Sequence, residues 1–117
     1  AIDIRVRIDD SQISDNGLAG IFLDGDAPAA FRINRNQISA NGTSGVIISS
    51  IPDGSEALIR NCNILGNRGA GVTAADLCSV FVSHCWISGN DLGSLEAPRG
   101  VIQLQDSIAT GLVAESH

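Results

Sequence analysis

The hydrophobic and polar residues of this chain recur together at intervals of 21 to 26 positions. With Ile13 as the origin, isoleucine returns at positions 38, 64, 87 and 108, and apolar residues precede each of the first four origins by five and by seven positions. Such self-similarity indicates a repeat architecture. We distinguish three clear units, a fourth that is partly degenerate and a weak fifth. An asparagine follows each of the first four origins by three positions: Asn16, Asn41, Asn67 and Asn90.

The alternation within each unit predicts short β-strands. The triplets VRI, FRI, ALI and VFV before the origin, and IFL and VII after a glycine, place apolar residues two positions apart. That spacing is the period of a strand rather than of a helix. Each unit is therefore predicted to contain a strand, a turn, a short strand, an Asn-Gly turn, a third strand and a variable loop.

A unit of this size cannot bury its apolar side alone, but copies stacked at the strand spacing of about 4.8 Å can. Stacking would form two inward aliphatic columns, one from the origin isoleucines and one from Ile8, Ile33, Ile59 and Val82. Asparagine suits the turn because it tolerates left-handed backbone, and its stacked amides can hydrogen-bond along the column. The sequence thus predicts an all-β solenoid.

Composition narrows the class of protein further. The 117 residues are 44% hydrophobic with only three Phe and one Trp, which predicts one folded domain with an aliphatic core. The net charge of −6 argues against nucleic acid as a partner. No run of apolar residues is long enough for a membrane span, and no signal-peptide pattern opens the chain. The three cysteines form no CxxC motif and no complete disulfide framework.

Two stretches carry a family resemblance: FRINRNQISANGTSGVII and ALIRNCNILGNRGAGVTA. They resemble the repeat of the right-handed parallel β-helix, pectate-lyase-like superfamily, over roughly residues 6–92 and more weakly over 100–113. The resemblance implies a right-handed, single-stranded solenoid of about five rungs. That superfamily includes pectate lyases, polygalacturonases, alginate lyases and epimerases, phage tailspikes and surface proteins, so the resemblance specifies the fold and not the activity.

Some outward positions are also apolar, which usually marks a contact surface. Six positions before the origin the outward residues are Arg7, Arg32, Leu58, Phe81 and Ile102, and nine positions after it they are Phe22, Ile47 and Thr73. We expect either further rungs or copies of the chain, for example in a trimer, to cover the apolar members. Residues 1–117 are therefore expected to form one β-helix domain that is a segment of a longer solenoid or that assembles with itself.

The loops between units carry the acidic residues. Stacking would bring Asp24, Asp26, Asp53, Glu56, Asp76 and Glu96 to one edge. Clustered carboxylates are the ligands that Ca²⁺ prefers, and the DGD at 24–26 is the best candidate. Because no complete Ca²⁺ loop is present, solvated loop acids are the favoured interpretation, and we expect no other cofactor.

Candidate ligand-binding residues are sparse. Arg32, Arg35 and Arg60 could clamp the carboxylates of a uronate polymer, and His84 is the only internal histidine. A hydrolase would instead need paired carboxylates, and Asp9 and Asp10 are the only adjacent ones. The GHG, DPHD and Arg-x-Pro-x-x-Arg motifs of the related enzymes are absent, so the resemblance assigns no catalytic residue.

Two further positions have structural interpretations. Cys62 and Cys85 both lie two positions before an origin and should stack on adjacent rungs, as free thiols or, less favoured, as a disulfide. The glycosylation acceptor sequence at Asn41 lies in the asparagine column and is interpreted as structural.

Two functional hypotheses follow. In the first, the chain is a non-catalytic module of a secreted, cell-surface or virion-surface protein that binds glycans or sister chains. In the second, it is part of a polysaccharide lyase, epimerase or hydrolase. The first is favoured because the sequence displays the stacking but no catalytic chemistry.

Overall fold

Every described element is a β-strand. The computed structural model describes residues 4–24, 29–50, 55–74, 79–93, 95–96 and 101–109. This part of the chain contains no helix that is long and apolar enough to cross a membrane. The strands are β1 (Ile4–Asp9), β2 (Gln12–Ser14), β3 (Ile21–Asp24), β4 (Ala29–Asn34), β5 (Gln37–Ser39), β6 (Val46–Ser50), β7 (Glu56–Arg60), β8 (Asn63–Leu65), β9 (Val72–Ala74), β10 (Ser79–Ser83), β11 (Trp86–Ser88), β12 (Leu95–Glu96), β13 (Val101–Gln105) and β14 (Ile108–Ala109).

The strands form three parallel sheets in which each strand pairs with the strand three places along the chain. Sheet A has the order β1-β4-β7-β10-β13, sheet B the order β2-β5-β8-β11-β14, and sheet C the order β3-β6-β9-β12. Four coils therefore contribute all three strands, and a fifth contributes two within the described residues. The prediction of an all-β parallel solenoid is confirmed. The predicted number of about five rungs is slightly too high if only complete coils are counted.

The register confirms the predicted inward columns. Ile13, Ile38, Ile64 and Ile87 pair in sequence through sheet B, and Ile8, Ile33, Ile59 and Val82 do so through sheet A. All are buried except the first-coil members, which are partly buried and pack on the core. Each fully buried aliphatic side chain contributes about 1.5–3 kcal/mol, so these columns are the main source of stability.

The fifth coil corrects the sequence alignment by one residue. Ile87 pairs with Ala109 rather than with Ile108, and Val82 pairs with Leu104. Ile102 consequently pairs with Val80 and packs against the core, so its predicted outward position was wrong. The error has a physical origin, because consecutive apolar residues at 101 and 102 leave the period-two alternation ambiguous there.

A ladder of asparagine side chains runs through the turn between sheets B and C. The Nδ2 of Asn16, Asn41 and Asn67 each donates to the Oδ1 of the asparagine in the next coil at 2.8 Å, ending at Asn90. The same oxygens accept from the backbone N–H groups of Asn16, Asn41 and Asn67 at 2.8–3.2 Å. Asn41 and Asn67 are 0% exposed. The predicted asparagine column is thus a buried hydrogen-bonded structure, and the acceptor sequence at Asn41 is part of it.

The ladder explains one column of glycines. A Cβ atom at Gly45 would lie 2.9 Å from the Nδ2 of Asn67 and 2.9 Å from the carbonyl oxygen of Gly71. Because real Cβ atoms do not approach so closely, a side chain there would displace the ladder or the next coil. Glycine at this position therefore lets the ladder pack against the backbone.

The residue before each ladder asparagine has left-handed backbone, whereas the asparagines themselves do not, so their expected left-handed role in the turn was wrong. The φ angles are 59° at Asp15, 54° at Ala40, 64° at Gly66 and 67° at Gly89. Glycine adopts this conformation without steric cost, whereas an alanine pays about 1–2 kcal/mol. The first two coils therefore carry backbone strain that the third and fourth avoid.

We expect Asn67→Asp to reduce the free energy of unfolding by about 3 kcal/mol or more. The carboxylate removes the donor to Asn90 and to the Ile38 carbonyl and leaves acceptors facing each other in a buried site. Chemical denaturation at neutral pH measures the loss. The matched control is Asn63→Asp on the exposed side of β8, which we expect to change stability by less than about 0.5 kcal/mol. Equal effects of the two substitutions would contradict the ladder's role.

Ala40→Gly should raise the free energy of unfolding by about 0.5–1 kcal/mol, because relief of left-handed strain exceeds the entropy that glycine adds to the unfolded chain. Gly66→Ala should lower it by a similar amount or more. Since a Cβ at Gly66 meets no atom within 4 Å, that loss isolates the backbone contribution. Thermal denaturation of both variants tests this, and a change of the same sign in both would refute it.

Candidate functional site

The outer surface of sheet A collects most of the positive charge of an otherwise acidic chain. Because Val6, Ile8 and the equivalent residues of later strands face the core, the alternating residues of β1, β4 and β7 face outward. Five of the seven arginines lie on this surface or at the turn that borders it: Arg5, Arg7, Arg32, Arg60 and, at the turn, Arg35. We call this surface the arginine face.

Three of these arginines line one cleft of about 380 Å³. Arg7 and Arg32 are paired in register on adjacent strands, and Arg60 follows on the third strand. The register sets Arg7 and Arg32 one strand spacing, about 4.8 Å, apart, whereas Arg60 pairs with Asn34, two residues beyond Arg32 along the strand. The cleft is lined by Arg7, Asp9, Arg32, Ile33, Asn34, Leu58 and Arg60.

The ion pairs that the cleft arginines form leave them available to a ligand. The Nη2 of Arg7 lies 3.1 Å from the Oδ2 of Asp9, and the Nη2 of Arg32 lies 3.7 Å from the Oε1 of Glu56. Both arginine side chains are substantially exposed. Exposed pairs of this kind contribute little stability and exchange readily with other anions. Arg60 has no carboxylate partner within 4 Å among the described residues.

Two of the predicted ligand-binding residues, Arg35 and His84, lie beside the cleft rather than in it. They occupy the turn between sheets A and B, where one residue per coil has φ of 51–56°. The members of this column are Asp10, Arg35, Asn61, His84 and Asp106. His84 therefore occupies the same turn position as Asn61 and Arg35 in successive coils, as the sequence predicted.

The turn column divides into separate pairs. Arg35 donates to both carboxylate oxygens of Asp10, at 2.6 and 3.1 Å, and this hydrogen bonding holds the pKa of Asp10 below its ordinary value. The same pairing raises the pKa of Arg35. His84 instead lies 3.8 Å from Asp106, at the other end of the column. The histidine and the arginines are thus engaged by different carboxylates.

Asn34 connects the turn to the cleft. When the amide oxygen of Asn34 faces Arg35, it accepts a hydrogen bond from Arg35 Nη1 at 2.8 Å. In the same orientation the amide nitrogen of Asn34 donates to the Arg60 carbonyl at 3.1 Å. Arg35 does not line the cleft, but it orients the side chain of Asn34, which does.

Asp9 is the one carboxylate among the described residues that line the cleft, and sequence reasoning considered it only as half of a pair with Asp10. Its Oδ1 is buried and has no hydrogen-bond partner among the described residues, whereas Oδ2 pairs with Arg7. Asp10 is turned to Arg35, so the two carboxylates do not act together. The signal that could have found the cleft is the strand alternation, which places Arg7 and Asp9 on one surface.

The Ca²⁺ site suggested by the sequence stays a prediction. Asp24 is exposed at the end of β3, whereas Asp26, Asp53 and Asp76 lie outside the described residues. In the described ranges no group of three or more His, Cys, Asp or Glu side chains is placed to hold a metal ion. Glu56 belongs to β7 and contacts Arg32 rather than a loop cluster.

The cysteine pair is structural. Cys62 and Cys85 are free and buried, which confirms the favoured interpretation. Each thiol lies within hydrogen-bonding distance of two carbonyl oxygens: Cys62 of Ile33 and Arg60 at 3.6 and 3.3 Å, and Cys85 of Ile59 and Ser83 at 3.5 and 3.3 Å. The neighbouring Cys62 sulfur and burial raise the pKa of Cys85, so this thiol remains neutral.

The comparisons with known proteins bear on the fold. A family model described as the right-handed β-helix region matches residues 3–110. The chain belongs to this right-handed β-helix family. The match confirms the handedness that the repeat resemblance implied, and it is consistent with the pectate-lyase-like superfamily. No curated protein and no solved structure matches the chain significantly.

The Asp10 pKa provides a test of the turn geometry. NMR titration should place it below the ordinary value of 3.8, and Arg35→Gln should return it toward that value. Because the folded pKa is lowered, the stabilising contribution of the pair is present above the ordinary pKa and is lost as the pH falls through the folded pKa. His84→Gln is the control and should leave the Asp10 pKa unchanged. An Asp10 pKa insensitive to Arg35→Gln would contradict the observed pairing.

Proposed function

We propose that this right-handed β-helix is a non-catalytic module that binds an anionic polysaccharide on the arginine face. The observation that carries the proposal is the segregation of charge. A chain with a net charge of −6 and no lysine places five of its seven arginines on or beside one surface. Such segregation attracts an anion to that surface while the rest of the molecule repels it.

The chemistry of the face suits carboxylate or sulfate groups on a polymer. A guanidinium presents donors in a planar fork that matches the two oxygens of a carboxylate. Arg7, Arg32 and Arg60 offer this fork on three successive coils, so a chain lying along the solenoid axis would meet a cation at each coil. The weak pairs with Asp9 and Glu56 keep the guanidinium groups solvated and oriented until a ligand displaces those acids.

An apolar strip continues the same face. Leu58 and Phe81 pair in register above Arg32, and a second cleft of about 220 Å³ lies over them, bounded by Gln103. Sugar rings have apolar C–H surfaces that pack against aromatic and aliphatic side chains. The face thus offers cationic groups in its first coils and apolar groups in the next, which match the carboxylates and the C–H surfaces of a uronate polymer. Such polymers belong to the extracellular space and to cell or virion surfaces, where we propose the module acts.

One observation favours the enzyme alternative, in which the chain is part of a uronate lyase, epimerase or glycoside hydrolase. Asp9 has a buried oxygen without a hydrogen-bond partner among the described residues, inside a cleft lined by arginines. Buried unpaired acceptors of this kind occur at reactive sites. Incubation with polygalacturonate and alginate tests this directly. Depolymerisation or epimerisation that Asp9→Asn abolishes would replace the binding proposal with the catalytic one.

Calorimetric titration with oligogalacturonate and oligoalginate tests the binding proposal. We expect binding that weakens with salt, and at least about a tenfold loss in affinity for Arg32→Gln/Arg60→Gln, because each removes a charge-assisted hydrogen bond. Arg68→Gln is the matched control, since Arg68 is exposed in the turn between sheets B and C. Absence of binding, or equal binding by the double variant, would overturn the proposal.

A further inference from the structure

The outer surface of sheet B differs chemically from the arginine face. In the first four coils its outward residues include no charged side chain. One outward column contains Gln12, Gln37, Asn63 and Trp86, paired in register, and we call it the amide–tryptophan strip. The neighbouring outward column contains Ser14, Ser39, Leu65 and Ser88.

Trp86 is the one aromatic residue among the members of this column in the first four coils. It is the only tryptophan of the chain, and 53% of its surface is exposed although the core is built almost entirely from aliphatic residues. The preceding coils place small amides at the same register position. Exposed indoles aligned with polar side chains are typical of surfaces that bind a ligand with both apolar and polar groups.

An open cleft of about 480 Å³ borders the strip on the side of the first three coils. Its two charged residues, Asp10 and Arg35, satisfy each other through two hydrogen bonds. Asn36, at its floor, donates to the Ile8 carbonyl at 2.7 Å and accepts from the Ser11 N–H at 2.9 Å. Apart from the exposed Asp10–Arg35 ion pair, the polar groups directed to solvent are mainly the neutral amides of Gln12, Gln37 and Asn63.

This arrangement matches a neutral sugar. A primary amide offers both donors and an acceptor, as does the hydroxyl group that it would bind. A pyranose also has a C–H surface that packs on an indole ring. From Gln12 to Trp86 the strip spans three strand spacings, about 14 Å in all, which accommodates a short oligosaccharide. The strip itself offers no cation to an anionic ligand, and the nearby Arg35 is already paired with Asp10 through two hydrogen bonds.

We propose that the amide–tryptophan strip is a second binding site that takes a neutral oligosaccharide, with Trp86 packed on one sugar ring and the amides of Gln37 and Asn63 bonded to hydroxyl groups. The site lies on sheet B and does not depend on the arginine face of sheet A. The chain would then bind neutral and anionic sugars on different sides of the same solenoid.

Tryptophan fluorescence provides a site-specific test, because the chain has one Trp and no Tyr. The full chain is titrated with cellohexaose, mannohexaose and maltohexaose up to about 10 mM, which covers millimolar affinities. We expect at least one probe to give a saturable blue shift as a sugar ring excludes water from Trp86. The shift should persist in about 1 M NaCl, where the Debye length is about 3 Å.

Variants separate this site from the arginine face. Gln37→Ala retains the fluorescent reporter and should weaken the response to the neutral probe at least fivefold, whereas Arg32→Gln/Arg60→Gln should leave it unchanged. Gln103→Ala, on sheet A, is the matched amide control and should also have no effect. A response to none of the three probes, or one insensitive to Gln37→Ala, would overturn the proposal. A response that the arginine double variant or salt abolishes would likewise overturn it and assign the sugar to sheet A.

Discussion

The buried asparagine ladder is the constraint on which the rest of the structure depends. Aliphatic columns favour stacking, but they tolerate small displacements, because neighbouring Ile and Val side chains have similar shapes. The amides of Asn41 and Asn67 do not, since each must place two N–H groups and one oxygen against fixed partners in adjacent coils. A slip of one residue would leave these groups unpaired in a dry site and would also exchange the inner and outer surfaces of every strand.

Fixed register gives the solenoid three outer surfaces of different chemistry. Sheet A presents arginines and sheet B presents amides with Trp86. Sheet C and the turn before it present an apolar surface, where Phe22 of β3 and Leu18 of the turn are 60% and 73% exposed. Each surface arises because equivalent positions of successive repeats are brought into line, so a substitution in one unit changes only one member of a column. The core and the surfaces can therefore vary separately, which is how a repeat fold carries different functions.

The sequence predicted the fold well because the repeat is itself the core. The period located the inward columns, the asparagine column and the outward position of Phe22. It misaligned the fifth coil, where adjacent apolar residues at 101 and 102 satisfy either register. It found Arg32 and Arg60 as candidates but not the cleft that they share with Arg7, because that cleft joins three units. The outward position of Trp86 follows from the same alternation, because Ile87 faces inward, but its 53% exposed fraction depends on the packing around it, which the sequence does not give.

The most direct measurement of the central claim is hydrogen exchange of asparagine and glutamine side-chain amides, followed by NMR. The side-chain amides of Asn41 and Asn67 should exchange about a thousandfold or more slowly than those of Gln12 and Gln37, because exposing them requires separation of adjacent coils at a cost of several kcal/mol. The glutamines, which lie on the outer surface of sheet B, are controls within the same molecule. Exchange of the ladder amides as fast as that of the exposed glutamines would contradict the account.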